Sequence, residues 1–333
     1  MNEKRRKRIL ISEHEHGLPY SKGLAASSLS VTGLGPVQSY GIANLVEQEL
    51  IARDVSTISE EELQDLTLEV LRREVGDDYA KAFVKWQSVA DLDAPLIILI
   101  GGATGVGKST IATQLATRLG ITRVISTDAV REVLRSAFTR EMFPTLYASS
   151  FEADKAVRQP IPHSGDKLII GFREQASTVS VGAQALIDRA IAEGTDLIVE
   201  GTHLVPGFLE GVEHEDAVIV PLLVTVEDEE LHRSHFYWRT RDSRQRPGDR
   251  YLNNFKAIRK LQKYMLSSAS MRGVPVISHI DLDATLTNVI DHVIRKAFEM
   301  TGQGTEGAAP PGKLLEAAAE VVGPSNMIKG AAR

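Results

Sequence analysis

The sequence predicts an α/β fold, a parallel β-sheet flanked by helices, preceded by a smaller, mainly helical unit. Three observations carry that expectation. Pro95 is followed by the unbroken apolar run Leu96–Ile100, as in a parallel strand buried on both faces. Directly after it comes the glycine-rich run Gly101–Gly107, then Ile111, Leu115 and Leu119 at helical spacing, with Gly120 placed to end the helix. From there, strand-like and helix-like patterns alternate to about residue 300, as parallel sheets require.

Composition narrows the class. The 333 residues suffice for one large domain and a smaller one, and 43% hydrophobic with 25% charged residues is ordinary for a globular protein. The formal net charge of −6 does not favour nucleic acid as a partner. Zero cysteines exclude disulfides, thiolate catalysis and Cys-ligated zinc. The basic start Lys4–Arg8 leads into no long apolar segment, and no run approaches a membrane span, so a cytoplasmic location without membrane contact is expected.

Taken in order, residues 1–90 read as the helical unit. Ile9–Ile11 and Leu18–Tyr20 look like short strands around the His14–Gly17 turn, and a helix is expected over Gln38–Ala52. A second helix opens at Ser59 with Glu62 three residues on, a capping box, and a third begins near Tyr79. Residues 91–300 form the larger domain. Its later strands are expected at Arg123–Ser126, Leu197–Val199, Ala217–Val226 and Val274–Ile277. Helices are expected over Ala129–Ala137, Leu168–Ala192 and Ala284–Met300, with an irregular excursion at residues 138–166. After Thr301 the composition shifts to Gly, Ala and Pro, giving a flexible tail over residues 301–333 with a short helix near Lys313–Val322.

The chemistry starts at the glycine run. Gly102, Gly107, Lys108 and Ser109 satisfy G-x-x-x-x-G-K-[ST] in full, so the domain is of the P-loop NTPase type. Residues Gly102, Ala103, Thr104, Gly105, Val106, Gly107, Lys108, Ser109 and Thr110 are expected to hold ATP. The loop amides and the helix N-terminus face the phosphates, Lys108 reaches the β- and γ-phosphates, and the Ser109 hydroxyl ligates Mg²⁺.

Three further features point to phosphoryl transfer. Asp128 follows the next strand, where a carboxylate can take the proton of an acceptor hydroxyl; it can equally cap the helix Ala129–Ala137. Arg131 and Arg135 follow on the same helical face, suited to phosphate or carboxylate. Arg233, Arg239, Arg241, Arg244, Arg246, Arg250, Lys256, Arg259, Lys260 and Lys263 face only Asp242 and Asp249 within their own stretch. Such self-repulsion suggests a lid over anionic substrates around residues 231–263, or else a nucleic-acid patch with Tyr237, Trp238, Tyr251 and Phe255 as stacking groups. Glu200 ends the third strand, where it can help to hold Mg²⁺ or be a plain strand-end carboxylate. The adenine is expected beside Gly273–Ser278.

Over residues 90–300 the chain resembles the 2-phosphoglycerate kinase family. The resemblance lies in Gly101–Thr110, Ser126–Arg135, Gly171–Gln175 and Glu200–Gly207. It implies ATP- and Mg²⁺-dependent phosphorylation of a small phosphorylated acceptor, 2-phosphoglycerate, to 2,3-bisphosphoglycerate and ADP. From the loop motif, the strand end and the basic stretch, Lys108, Asp128, Arg239 and Arg241 are the expected catalytic residues. Asp128, Arg131, Arg135 and Arg173 are expected on the acceptor, and Ser109 and Glu200 on the metal. A kinase of another anionic metabolite, or a nucleotide-sensing regulator without turnover, remains open. The N-terminal unit resembles the ATP-cone in Tyr20–Leu24, Ser27–Leu29 and Ile58–Leu63, but His14–Gly17 replaces the basic-Gly pair between its first strands.

Overall fold

The computed structural model describes residues 9–11, 17–90, 92, 94–158, 165–209, 216–242 and 248–301. It divides into two compact units, Met1–Gln87 with Thr301–Arg333, and Ser88–Met300. His14, His16, Arg244, Arg246 and the helix expected at Lys313–Val322 lie outside the described residues, as do the side chains of Arg239 and Arg241.

In the first unit, β1 (Leu10–Ile11) pairs antiparallel with β2 (Leu18–Pro19). It runs parallel to β3 (Thr57–Ile58). Between these strands lie α1 (Lys22–Leu29) and α2 (Pro36–Ala52); α3 (Glu60–Glu74) and α4 (Asp77–Ala90) follow. Pro36 opens α2 because its missing N–H has no intrahelical partner to lose there. Ser59 and Glu62 form the capping box that starts α3. Leu29, Val46, Leu50, Val70 and Leu71 make the core of this unit.

The second unit opens with β4 (Leu96–Gly101), buried along its whole length, followed by α5 (Lys108–Leu119). Then come β5 (Val124–Ser126), α6 (Thr127–Ala137), α7 (Lys167–Ala192), β6 (Leu197–Gly201) and β7 (Val218–Thr225). The chain continues through α8 (Glu229–Asp242), α9 (Gly248–Asn253), α10 (Phe255–Arg272), β8 (Val276–Ser278) and α11 (Leu282–Thr301). The strand order is β5-β6-β4-β7-β8, and every pairing is parallel. From β4 the chain leaves toward the β5 edge, whereas from its neighbour β7 it leaves toward the β8 edge. This reversal is the topological switch point at which open α/β sheets bind ligands. No described helix is long and apolar enough to cross a membrane.

Three elements differ from expectation for physical reasons. α6 begins at Thr127 because Ser126, not Asp128, accepts the Ala129 N–H as the cap. β8 begins two residues late because Gly273, at φ 65°, closes α10 and leaves 274–275 as the turn into the strand. Residues 138–166 contain two 3₁₀ stretches, Pro144–Tyr147 and Ser150–Ala156, too short to show a helical period. Gln175 of α7 ties this excursion down, donating to Thr145 O at 2.6 Å and Ala148 O at 2.8 Å.

Candidate active site

The loop between β4 and α5 lies at the switch point. Its sharp turns require glycine: Gly105 and Gly107 have φ near +90°, and a Cβ on Gly102 would lie 2.5 Å from Val224 O. Lys108 is buried, and its ammonium spans the loop to donate to Ala103 O at 2.8 Å. Parallel pairing sets Ile100 opposite Glu200, bringing the end of β6 beside the start of α5. There the Ser109 hydroxyl donates to Glu200 Oε1 at 2.9 Å. Two hard oxygen donors beside a phosphate loop fit Mg²⁺, which completes its coordination with water and substrate phosphates rather than with an all-protein cage. Among the described residues no group of three His, Asp or Glu side chains gathers as a metal site.

Asp128 sits in the first turn of α6 with its carboxylate exposed, and Arg131 Nη2 lies 3.6 Å from it. Arg131 is held from the other side, donating from Nη1 to Ala148 O at 3.0 Å. Arg135 shares the Glu132 carboxylate with Arg131, whose Nη2 lies 3.6 Å from Glu132 Oε1. It donates to both Glu132 oxygens, at 2.7 and 2.9 Å, and its guanidinium lies 4.9 Å from the Tyr147 ring centroid.

Arg173 lies elsewhere. With Tyr264, Arg272 and Pro206 it lines a cavity of about 870 Å³ between α7 and α10, which includes none of Lys108, Asp128 or Arg131. The cause is helical geometry: Gln175 faces the 3₁₀ segment, and two residues at about 100° each turn Arg173 to the opposite side.

The charge-repulsion argument for the lid also needs correcting, because acids from outside the stretch neutralise part of it. Arg250 pairs with Glu152, Lys260 with Asp166, and Arg259 with Glu229. Arg259 further donates to Val226 O at 2.6 Å and Glu227 O at 2.8 Å. Some of these cations are therefore structural ties.

A cavity of about 700 Å³ beyond the ends of β7 and β8 is lined by Glu227, Asp228, Ser278, His279 and Ile280 among others. Only Ser278 of the segment Gly273–Ser278 belongs to it.

Histidines make contacts that the sequence reading did not anticipate. His203, fully buried, joins Thr127 Oγ1 (2.9 Å) to Gln175 Oε1 (3.2 Å) at the foot of the Asp128 turn. Burial lowers its pKa to about 4, against the opposing pull of Asp128, so it is neutral. His232, His235 and His279 contact the outer carbonyls of the glycine loop. Nothing local marks His232, His235 and His279, since their partners lie far away in sequence.

A phosphate loop at the switch point of a parallel β5-β6-β4-β7-β8 sheet, with a lysine, a serine and a strand-end glutamate around it, defines a P-loop kinase fold. The chain is 40% identical over 301 residues to a 2-phosphoglycerate kinase of Methanothermobacter thermautotrophicus, covering 90% of this chain and 96% of that one. It is 38% identical to the enzyme of that name from Methanocaldococcus jannaschii over 301 residues, 90% and 96% of the two chains. Identity to that of Pyrococcus horikoshii is 38% over 300 residues, 90% and 98%. No family model matches. The chain belongs to the 2-phosphoglycerate kinase family.

Proposed function

We propose that this chain transfers the γ-phosphoryl group of ATP to the hydroxyl of 2-phosphoglycerate, giving 2,3-bisphosphoglycerate and ADP. The observation that carries this is the meeting of donor and acceptor groups at the ends of adjacent strands. Lys108, Ser109 and Glu200 lie at β4 and β6, and Asp128 with Arg131 follows β5, the neighbour of β6.

The loop amides take the triphosphate, and Lys108 exchanges Ala103 O for β- and γ-phosphate oxygens. Ser109 and Glu200 would hold Mg²⁺, which would supply neutralisation of phosphate charge when bound. Asp128 orients the acceptor hydroxyl and accepts its proton as the new O–P bond forms and the bond to the ADP oxygen breaks. Arg131, fixed by Ala148 O, answers the acceptor's phosphate or carboxylate. Arg239 and Arg241 of the lid are assigned to the transferring group, and the cavity beside Ser278 and Ile280 to the base. The N-terminal unit is read as an accessory domain of ATP-cone type, joined near residue 90.

The test is to incubate the pure protein with Mg²⁺, ATP and a panel of phosphorylated three- to six-carbon acceptors while following ADP. ADP release dependent on 2-phosphoglycerate is expected. Dependence on a different acceptor alone would move the substrate, and ATP binding without any acceptor-dependent release would make the chain a sensor.

A further inference from the structure

Each of three successive carbonyls of the glycine loop meets its own imidazole. His232 Nε2 donates to Thr104 O at 2.9 Å, His235 Nδ1 to Gly105 O at 2.9 Å, and His279 Nδ1 to Val106 O at 2.8 Å. A carbonyl only accepts, so each of these ring nitrogens carries the hydrogen. At His232 the surroundings enforce this tautomer: Arg259 Nη1 lies 3.4 Å from Nδ1 and leaves Nε2 as the donor.

A trans peptide points its N–H opposite to its C=O. Pinning these three carbonyls toward the histidines therefore turns the N–H groups of Gly105, Val106 and Gly107 the other way. Amides turned together in one direction are the anion-binding element of such a loop. Close packing makes the arrangement rigid. His232 stacks on Phe236 with centroids 5.4 Å apart, and His235 and His279 are also 5.4 Å apart. A Cβ on Gly105 would lie 2.3 Å from Phe236, and one on Gly107 2.5 Å from His279, so only glycine admits the rings this closely.

We propose that His232, His235 and His279 are positioning residues of the nucleotide site, a clasp on the outer side of the loop that presets its amides for the triphosphate. Two of them stand on α8, the helix that carries Arg239 and Arg241, so the clasp also ties the loop to the base of the lid. This rests on ATP being the donor, as proposed above.

The test uses His235 and His279, in two independent pairs of variants. His235→Leu and His279→Leu remove the donor, whereas His235→Asn and His279→Asn keep an amide N–H near the position of Nδ1. Loss of one hydrogen bond should raise the Kd for ATP about tenfold in each Leu variant, with the KM for the acceptor within about twofold of wild type. The Asn variants should recover most of the affinity. Calorimetric ATP titration and the upward shift of thermal midpoint on adding ATP give the two readouts, and either pair alone decides. Leu variants that bind ATP like wild type, or Asn variants as weak as Leu, would overturn the clasp while leaving the kinase assignment standing. Failure of the wild-type chain to bind ATP would overturn both.

Discussion

The Ser109 hydroxyl donates to Glu200 Oε1 at 2.9 Å, joining residues 91 positions apart across the β4–β6 ladder. If these oxygens hold Mg²⁺ with the triphosphate, Ser109→Ala and Glu200→Gln should each lower kcat by about 10- to 100-fold. Both should also raise the Mg²⁺ concentration for half-maximal rate. Because the two act on one ion, the double variant should be little worse than either single one. Mg²⁺ titration of the steady-state rate checks this, and an unaltered Mg²⁺ dependence in both variants would remove them from the metal.

Asp128 is free of helix capping, since Ser126 accepts the Ala129 N–H. Asp128→Asn should therefore leave stability within about 0.5 kcal/mol of wild type. It should still lower kcat by about 100-fold or more, with the KM for ATP little changed. Ser126→Ala should do the reverse to stability, costing about 1 kcal/mol. Thermal unfolding with steady-state kinetics separates the two roles; full activity in the Asn variant would leave Asp128 without a catalytic one.

Much of this site was readable in the chain because its parts are local. The strand, loop and helix of the nucleotide site are contiguous, and the Ser59–Glu62 box needs only four residues. Ser109 and Glu200 were legible singly, from the loop motif and a strand end, whereas their contact depends on β6 rather than β5 pairing with β4. What escaped depends on side-chain direction and distant partners. His232 and His279 meet the loop across 128 and 173 positions, which no local pattern records. The surroundings of Arg173 were not legible because the buried stripe of α7, Leu168, Phe172, Gln175 and Val179, shows which face is covered but not what the flanking residues meet. The basic stretch was over-read because Glu152 and Asp166, which pair with it, lie about 100 residues upstream.

Two buried histidines give stability a pH dependence with a definite sign. Burial lowers both His203 and His232 to about 4, below the 6.5 of the free side chain. Between those values the unfolded chain binds protons that the native state refuses, so stability is full above about pH 6.5 and is lost as pH falls toward 4. Each histidine can account for on the order of 3 kcal/mol across that window. Urea unfolding at pH 7 and pH 5 should show a clear drop, and His203→Asn should remove about half of it, leaving the share of His232. An unchanged midpoint between the two pH values would mean that the rings are charged or solvated in the native state.

Arg131 and Arg173 make opposite predictions for acceptor binding. Arg131 is held between Ala148 O and the Asp128 carboxylate, where an acceptor hydroxyl presented to Asp128 would bring its own anionic groups. Arg131→Ala should raise the KM for 2-phosphoglycerate about tenfold or more, and Arg131→Lys should recover little, because an ammonium cannot reproduce the guanidinium fork. Arg173 lines the cavity with Tyr264 and Arg272, on the side of α7 turned from Gln175. Arg173→Ala should leave that KM within about twofold, as for a residue outside the acceptor site. Initial-rate measurements at saturating ATP decide between them. A large rise with Arg173→Ala and none with Arg131→Ala would place the acceptor between α7 and α10, and the proton acceptor would then have to be a residue other than Asp128.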